Sequence, residues 1–394
     1  MSDTPRALPP CPHWRKCGGC QLRNMDYERQ LKFKQESVIS LLGKYHRVSP
    51  ILGMDHPYYY RNKVQAAFGL TRSGQVISGI YQSSSHHIVK VDSCQIEDQT
   101  ADRIVVTIRK MLPSFRILPY NEDSRKGFLR HVLVRRGFHS GQIMVVLVGS
   151  TPIFPIKKKF VTELVRRHPE ITTVVFNINS QHTSMLLGER EEVLFGPGYI
   201  EDDLCGCTFR LSPRSFYQIN PSQTERLYRT ALDMAHITEN DTVLDAYCGV
   251  GTIGIVAAKR AKEVVGVELN GDAVRDARVN ARRNELTNIS FVQGDAGEYM
   301  VELAQSGEKI DVVLMDPPRA GSDMPFLKSL LTLAPSRVVY ISCNPETQAR
   351  DLRTLVHGGY RVTGIQPVDM FPHTRHTECI VAMERDRRQI KREG

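Results

Sequence analysis

A cysteine stands directly after a strongly apolar run in the stretch VVYISCNPETQARDL, residues 338–352. Four β-forming residues lead into Ser342 and Cys343, and an Asn-Pro pair follows, so the cysteine is predicted to stand at the mouth of a strand. A sulfur in that place faces whatever binds beyond the sheet edge, and its thiolate form is a strong nucleophile. Taken alone, however, Cys343 is better interpreted as a small packing residue, like most buried cysteines.

Methylation of a pyrimidine carbon is the chemistry that would need such a cysteine. C5 becomes reactive when a thiolate adds to C6, and a general base must then remove the C5 proton before the thiol can leave. Glu378 is the candidate base, because it directly precedes the apolar run CIVAM. If that run is the last strand of a sheet, Glu378 lies at a sheet edge. The sequence does not show whether Cys343 lies at the same edge, because that depends on strand direction.

A glycine-rich turn indicates where a methyl donor could bind. In VLDAYCGVGTIGI, residues 243–255, three glycines follow a predicted strand and open a helix, which lets the backbone approach a ligand closely. The next predicted strand ends at Glu268, where a carboxylate can accept hydrogen bonds from ribose hydroxyls. NAD is the competing ligand, because dinucleotide enzymes share this acidic position. The later strand ends QGDA and DPP favour S-adenosylmethionine instead.

The DPPRAG motif separates two kinds of methylation. Asp316 followed by two prolines resembles the motif with which amino-methylating DNA and RNA enzymes hold an exocyclic nitrogen. Those enzymes usually carry an aromatic residue in the fourth position, whereas this chain has Arg319. The departure weakens the amino-methylation hypothesis and leaves carbon as the target.

Four further cysteines suggest a metal centre. Cys11, Cys17 and Cys20 cluster in CPHWRKCGGC, and Cys94 lies far downstream in VDSCQIED. Zinc sites usually combine two close pairs of ligands, whereas three clustered thiolates and one remote thiolate suit an iron–sulfur cluster better. His13 is an alternative ligand. The spacing does not show whether such a cluster would be structural, would shape an RNA-binding surface or would be redox-active.

Three regions position these residues. Residues 1–48 hold the cysteine-rich loop and a basic helix, residues 49–215 read as a central antiparallel α+β domain that contributes Cys94, and residues 216–394 alternate apolar strands with helices. That alternation predicts an α/β, Rossmann-like doubly wound sheet, which binds ligands at the carboxyl ends of its strands. The basic stretch 125–136 is the best candidate for part of an RNA-binding surface.

Composition limits the class of protein. Lys and Arg number 52 against 43 Asp and Glu, so the net charge of +9 makes a polyanionic partner plausible. No run of about 18 apolar residues and no signal-peptide core is visible, so we expect a cytoplasmic protein without a membrane partner. Nine cysteines in that reducing compartment are expected to serve as ligands, catalysts or packing residues rather than disulfides. No obligate protein partner is inferred.

Five motifs together carry a family resemblance. SCNPETQARDL, FPHTRHTECI, SPRSFYQIN, LDAYCGVGTIG and DPPRAG occur in the order found in the uridine-C5 RNA methyltransferase family, and the chain resembles that family over nearly its whole length. The resemblance implies a class I S-adenosylmethionine-dependent methyltransferase domain that makes 5-methyluridine in RNA. It also implies that Cys343 is the nucleophile and Glu378 the base.

The same resemblance implies the remaining site residues. Positions that contact S-adenosylmethionine in the family, with Asp295 on the adenine side, match Gln218, Tyr247, Glu268, Asp295 and Asp316. A 4Fe-4S cluster would be held by Cys11, Cys17, Cys20 and Cys94.

The RNA substrate follows less directly. Only ten residues precede the first cysteine, so we expect the small β-barrel that many members carry before the cluster to be absent. The cluster spacing and CGGC favour 23S rRNA over tRNA. The alternatives are the same reaction on tRNA, a non-catalytic iron–sulfur RNA-binding protein, and an amino-methyltransferase.

Overall fold

Two large sheets and a small hairpin make up the protein. The structure, a computed structural model, describes residues 9–82, 85–154, 156–181 and 185–386. Within them, one seven-stranded sheet belongs to the central part of the chain and a second to the C-terminal part. The two-stranded hairpin lies between them in sequence and consists of β8 (Ile200–Leu204) and β9 (Cys207–Leu211).

The C-terminal sheet has the doubly wound order β12-β11-β10-β13-β14-β16-β15. Its strands are β10 (Thr242–Ala246), β11 (Glu263–Glu268), β12 (Ile289–Gln293), β13 (Val312–Met315), β14 (Arg337–Ser342), β15 (Tyr360–Val368) and β16 (Glu378–Arg385). The first five pair in parallel, whereas β16 runs antiparallel to both of its neighbours. The predicted α/β fold is confirmed. Its strands are continuous apolar runs because helices cover both faces of the sheet.

The helices of this unit are α5 (Pro221–Ala235), α6 (Thr252–Ala258), α7 (Gly271–Arg283), α8 (Ala296–Ser306), α9 (Met324–Leu333) and α10 (Pro345–His357). Five of these six start at a polar cap that the sequence displays, and α6 starts after Gly251 without a side-chain cap. Asn344 caps α10 by accepting from the Glu346 amide, and Pro345 occupies the first turn, where its missing N–H costs nothing. The turn directly after Cys343 is therefore a helix start.

The central sheet has the order β3-β2-β1-β4-β5-β6-β7. Its elements are β1 (Lys63–Leu70), β2 (Val76–Tyr81), β3 (Ile88–Lys90), α3 (Gln99–Ser114), β4 (Leu129–Arg136), β5 (Ile143–Gly149), α4 (Lys157–Arg167), β6 (Ile171–Ile178) and β7 (Arg190–Phe195). β4 and β5 form an antiparallel hairpin, but the sheet is not antiparallel throughout, contrary to the expectation for the central domain. β5 and β6 pair in parallel, because α4 crosses over between them.

The two faces of the central sheet are covered differently. One face packs against α3 and α4 in a core that includes Val64, Phe68 and Val132. Leu133 and Met144, on the other face, belong to a core that continues through the β8–β9 hairpin into the C-terminal sheet. The central and C-terminal units are therefore joined by buried apolar side chains, and part of the second sheet face remains open.

The N-terminal segment packs against the C-terminal unit. It contains α1 (Trp14–Cys17) and α2 (Tyr27–Leu42). Val38 and Leu42 are fully buried in the core of the C-terminal sheet, and the chain after α2 adds an isolated bridge from Val48 to Ile365. The N-terminal helix α2 thus lies against the C-terminal sheet. The boundaries 1–48, 49–215 and 216–394 stay a prediction.

The predicted basic surface at residues 125–136 is partly wrong. Arg130 is 4 % exposed and pairs with Glu122, and Arg135 is 1 % exposed and donates to backbone carbonyls at Ser212 and Ser215. Buried guanidinium groups need such partners to offset their lost hydration. These two arginines hold segments together and are not available to RNA.

Among the described residues, no helix has both the length and the apolar character needed to cross a membrane.

Candidate active site

Cys343 and Glu378 lie at the same edge of the C-terminal sheet. β14 ends at Ser342, β16 begins at Glu378, and the two strands are antiparallel with Ser342 opposite Cys379. The next residue outward on β14, Cys343, therefore stands opposite Glu378. The direction of β16, which the sequence left open, brings the two candidate catalytic residues together.

A pocket of about 530 Å³ opens over this edge, and we call it the cysteine pocket. Its lining combines sheet-edge residues with residues from the N-terminal and central parts of the chain: Gly19, Arg61, Phe216, Gln218, Asp316, Pro317, Pro318, Arg319, Cys343, Phe371, Thr374, His376 and Glu378. Phe216 is 66 % exposed, so an aromatic face stands free at the entrance. A planar aromatic ligand would find both a stacking surface and a nucleophile here.

A second pocket of about 410 Å³ lies over the glycine-rich turn, and we call it the donor pocket. Tyr247, Glu268, Asp295 and Asp316 all line it, as predicted for the residues that bind the methyl donor. Gln218 lines the cysteine pocket instead. The structure thus brings together four of the five predicted donor contacts, and the role of each stays a prediction.

The two pockets adjoin. They share Phe216, Asp316 and Pro318. A ligand in the donor pocket and a ligand beside Cys343 would therefore meet across the DPP strand end. Such adjacency is what a direct group transfer between two bound molecules requires.

Backbone geometry shapes the donor pocket. Glu268 accepts from the Gly249 amide at 3.1 Å and from the Asn270 amide at 2.8 Å, so its carboxylate is fixed at the end of β11. Asp245 accepts from the Gly254 amide at 2.8 Å and ties the strand to the helix that follows the turn. Tyr247 has a φ of 66°, a left-handed conformation that non-glycine residues adopt only under local constraint.

Burial and charge make the two carboxyl groups at this edge weaker acids than usual. Burial, and after it the charge of Asp316, raises the pKa of Glu378 well above its ordinary value. Burial likewise raises the pKa of Asp316. The charge on Asp316 adds to the burial that disfavours ionisation of Glu378, so Glu378 is an unusually strong base once it ionises.

The same carboxyl groups also affect the pKa of the Cys343 thiol. Burial raises the pKa of its thiol to about 11, and the charges of Glu378 and Asp316 add to the shift. The nearby Arg319 acts in the opposite direction. The thiol is therefore protonated at neutral pH, and thiolate formation depends on cationic groups around the pocket.

Several lining residues were not predicted from the sequence. Thr374 and His376 belong to the FPHTRHTECI motif that precedes the base, so the motif itself was a usable signal. Arg61 and Gly19 carry no such signal, because they reach the pocket only through tertiary packing. The Nε of Arg61 is buried with no hydrogen-bond partner among the described residues. It is a donor that a ligand could satisfy.

Three of the four predicted cluster cysteines, Cys11, Cys17 and Cys20, lie near one another, and the segment that contains Cys94 contacts the same loop. All four are partly buried and unpaired. Burial raises the pKa of Cys20 to about 12, with additions from neighbouring Cys17 and Cys11. Gln95, next to Cys94, binds the Pro9 carbonyl and Arg23, which brings the remote segment to the N-terminal loop.

The four thiols are chemically suitable ligands for an iron–sulfur cluster, but the positions of their sulfur atoms are less suitable. Several thiols that would repel one another when ionised are stabilised as thiolates by a bound metal. No group of three or more Cys, His, Asp or Glu side chains within the described ranges, however, converges closely enough to hold a metal ion. The thiol set is suitable, but among the residues that the structure describes it is not arranged as a metal site.

Comparison with known proteins decides the family. The family model described as tRNA (Uracil-5-)-methyltransferase matches residues 26–386. The chain belongs to this family. Its members are S-adenosylmethionine-dependent RNA uracil methyltransferases, so the fold is that of a class I methyltransferase, as the resemblance implied.

Relatives and a solved structure agree with this assignment. The chain is 42 % identical over 384 residues to an uncharacterised RNA methyltransferase of Halalkalibacterium halodurans, covering 96 % of this chain and 84 % of the relative. It is 43 % identical over 373 residues to one of Oceanobacillus iheyensis, covering 93 % and 81 %. Among solved structures, the Pyrococcus abyssi tRNA (uracil-54, C5)-methyltransferase in complex with S-adenosyl-L-homocysteine is similar with a TM-score of 0.79 and 29 % identity, over 93 % of this chain and 85 % of that chain.

Proposed function

We propose that this protein transfers a methyl group from S-adenosylmethionine to C5 of a uridine in RNA through a covalent adduct between Cys343 and C6. The observation that carries the proposal is the antiparallel pairing of β14 and β16, which sets Cys343 opposite Glu378 in a pocket that adjoins the donor pocket. A nucleophile, a base and a donor site are the three parts that carbon methylation needs.

The residues of the chain divide the reaction between them. Cys343 first loses its proton to solvent. The thiolate sulfur then adds to C6, and the electron pair of the C5–C6 double bond moves toward C5 and the C4 carbonyl. S-adenosylmethionine supplies the methyl group as an electrophilic sulfonium. C5 forms a bond to the methyl carbon, and the electrons of the broken bond stay on the donor sulfur. The Glu378 carboxylate then takes the C5 proton, the C6–sulfur bond breaks, and Cys343 leaves as the thiolate.

The surrounding residues have supporting roles in this proposal. Arg319 favours the thiolate form of Cys343, because its charge opposes the effect of the two carboxyl groups. Asp316 lines both pockets, and its charge adds to the burial that makes Glu378 a strong base. Phe216 and Gln218 line the entrance through which a uridine must be turned out of its RNA context.

We favour 23S rRNA as the substrate, on the resemblance of the cysteine spacing and CGGC to the ribosomal-RNA branch of the family. tRNA is the second candidate, and the similarity to the Pyrococcus abyssi tRNA enzyme supports it. We place the reaction in the cytosol, where nine unpaired thiols stay reduced.

We further propose that Cys11, Cys17, Cys20 and Cys94 hold a 4Fe-4S cluster. Gly19, inside the cysteine loop, lines the cysteine pocket, so a cluster there would fix a wall of the active site. Iron and acid-labile sulfide are measured in anaerobically purified protein and compared with Cys17→Ser and Cys205→Ser variants. Loss in the first variant alone supports the proposal, and native protein without iron or sulfide contradicts it.

Nucleoside analysis tests the reaction. The anaerobically purified protein is incubated with radiolabelled S-adenosylmethionine and either 23S rRNA or bulk tRNA, and the digested nucleosides are separated by mass spectrometry. Label in 5-methyluridine from one RNA is the expected result and identifies the substrate. Label in another nucleoside would overturn the carbon mechanism in favour of amino-methylation. Absence of label from both RNAs would favour the non-catalytic RNA-binding protein.

A further inference from the structure

A third cavity lies on the open face of the central sheet and shares no lining residue with either pocket of the active site. Its volume is about 630 Å³, and we call it the sheet-face pocket. Gln65 and Ala67 of β1 contribute to its lining. Because side chains alternate along a strand, these residues share a face with Lys63, and the pairing of Ala67 with His131 brings β4 onto the same face.

β1 connects the sheet-face pocket to the cysteine pocket. Arg61 lines the cysteine pocket two residues before the strand begins, and Gln65 lines the sheet-face pocket. Four residues of extended chain span about 13 Å. Lys63 lies between the two pockets and has no ion-pair partner among the described residues. A cation without a partner between two cavities is suited to a phosphate of a chain that enters both.

The sheet-face pocket offers aromatic surfaces and unused hydrogen-bonding groups. The rings of Tyr81 and His131 meet edge to face, with centroids 6.0 Å apart. Burial lowers the pKa of His131 to about 4, so the imidazole is neutral at physiological pH and can both donate and accept. The Tyr81 hydroxyl, the His131 ring and the Gln65 amide have no hydrogen-bond partner in the part of the chain that the structure describes.

The pocket is otherwise neutral. Arg130 reaches its wall, but the guanidinium group is bound by Glu122 and by the carbonyls of Asn179 and Gln181. Leu186 adds an apolar side chain to the lining. A neutral, flat and polar-edged ligand matches this environment, whereas a phosphate does not.

We propose that the sheet-face pocket binds an unpaired nucleobase of the same RNA, a few nucleotides from the uridine in the cysteine pocket. The proposal rests on the proposed function, since turning a uridine out of its RNA context disturbs its neighbours and leaves bases to be held elsewhere. The base contacts the Tyr81 and His131 rings, its edge meets Gln65, and Lys63 contacts a phosphate between the two bound bases.

Single abasic nucleotides test the proposal. The RNA that accepts methyl is synthesised with one abasic residue at a time on either side of the target uridine, and KM and kcat are measured for native protein and for Tyr81→Leu. With native protein, one abasic position raises KM about tenfold, the size expected for loss of one base–aromatic contact, and leaves kcat unchanged. Tyr81→Leu raises KM equally on intact RNA and is insensitive to that abasic position.

Two further variants keep the test decisive. Tyr299→Leu removes a half-exposed tyrosine that stands near Glu302 and Glu308 on the C-terminal unit, so its KM should match that of native protein. Gln65→Glu, on an exposed side chain, places a negative charge at the pocket without disturbing the core and should raise KM even if Tyr81→Leu does not fold.

The outcomes separate the two proposals. A native KM in both Tyr81→Leu and Gln65→Glu, or an abasic penalty that persists unchanged in these variants, would overturn the sheet-face pocket while leaving methyl transfer intact. If no 5-methyluridine forms, the proposed function fails. Filter binding of the same RNA series without methyl donor then tests the pocket, and equal affinity of native protein and both variants overturns it.

Discussion

The two large sheets present their polar residues in different ways. In the C-terminal sheet, Glu268, Asp316 and Cys343 stand at or just beyond the ends of parallel strands, and helices cover both faces. In the central sheet, Gln65 and His131 stand on the face itself, where the packing against the hairpin stops. Strand ends gather reactive groups at one line, whereas a sheet face spreads contact groups over an area. The first arrangement suits chemistry and the second suits recognition.

Removal of the nucleophile is the strongest test of whether the strand ends carry out chemistry while the sheet face serves recognition. Cys343→Ala should lower methyl transfer on the order of 10³-fold or more, because no other group can form the bond to C6. RNA affinity should stay close to native, since the sheet face is untouched. Radiolabel incorporation and filter binding measure the two quantities. Cys205→Ala is the matched control, because Cys205 is also partly buried but lies in the β8–β9 turn.

Survival of methyl transfer in Cys343→Ala would break the comparison at its strongest point. It would show that the reaction needs no bond to Cys343, and the amino-methyltransferase hypothesis would then account for the DPP strand end.

Removal of the base should stop the reaction at a later stage. Glu378→Gln keeps the shape of a side chain that is 3 % exposed but cannot accept the C5 proton. The adduct should form and C5 should be methylated, yet release should fall by about 10²- to 10⁴-fold, the usual contribution of a general base. A denaturant-resistant protein–RNA species that carries labelled methyl is the expected observation on a denaturing gel.

Glu346→Gln controls for the loss of a carboxylate near the same edge, because Glu346 is exposed in the first turn of α10. Recovery of free methylated RNA from Glu378→Gln at the native turnover rate would show that another group is the base.

The sequence predicts the C-terminal sheet well and the central sheet less well, for a physical reason. Strands buried on both sides, such as Val312–Met315, are short apolar runs that end in polar or glycine residues, so their order and ends are readable. Strand direction depends on connections in space. The parallel β5–β6 pair was therefore missed, although the amphipathic α4 between these strands was itself a signal of a crossover.

In the candidate site, too, the residues could be predicted from local motifs, whereas their contacts depend on the tertiary structure. Cys343 and Glu378 were predicted from local motifs, but only the direction of β16 brings them together. Arg130 and Arg135 were misjudged because the partners that bury them, such as the Ser215 carbonyl, lie in distant segments. Charge can be read from a sequence, whereas burial of that charge requires the tertiary structure.

A buried ion pair connects the N-terminal helix to the reactive edge. Lys34 of α2 is fully buried, lies 2.5 Å from the Asp369 carboxylate, and donates to the Phe371 carbonyl at 3.0 Å. Lys34→Met should destabilise the protein by about 3–5 kcal/mol, because Asp369 would keep an uncompensated buried charge. Unfolding in denaturant measures the loss of stability. Lys32→Met, at an exposed position on the same helix, should change stability by less than about 0.5 kcal/mol.

A second substitution at Asp369 tests whether the Lys34–Asp369 pair acts through charge or only through packing. The double variant Lys34→Met with Asp369→Asn should recover part of the lost stability, since no buried charge remains. If the double variant is less stable than Lys34→Met, the pair does not act through charge, and the N-terminal helix positions the Phe371 segment by packing alone.

The smallest expected effect concerns the protonation of the nucleophile. The pKa of Cys343 is raised to about 11, so well below that pH the thiolate fraction increases about tenfold for each pH unit, and kcat/KM should rise with pH between 6 and 9. Arg319 lowers this pKa, so Arg319→Gln should raise it and shift the profile to higher pH, with a loss of about two- to fivefold at pH 8. Arg319→Lys keeps the charge and should stay near native. The pH dependence of iodoacetamide labelling at Cys343, followed by peptide mass spectrometry, reads the same shift without RNA. Equal labelling profiles in native protein and Arg319→Gln would show that the charge of Arg319 does not set the pKa of Cys343.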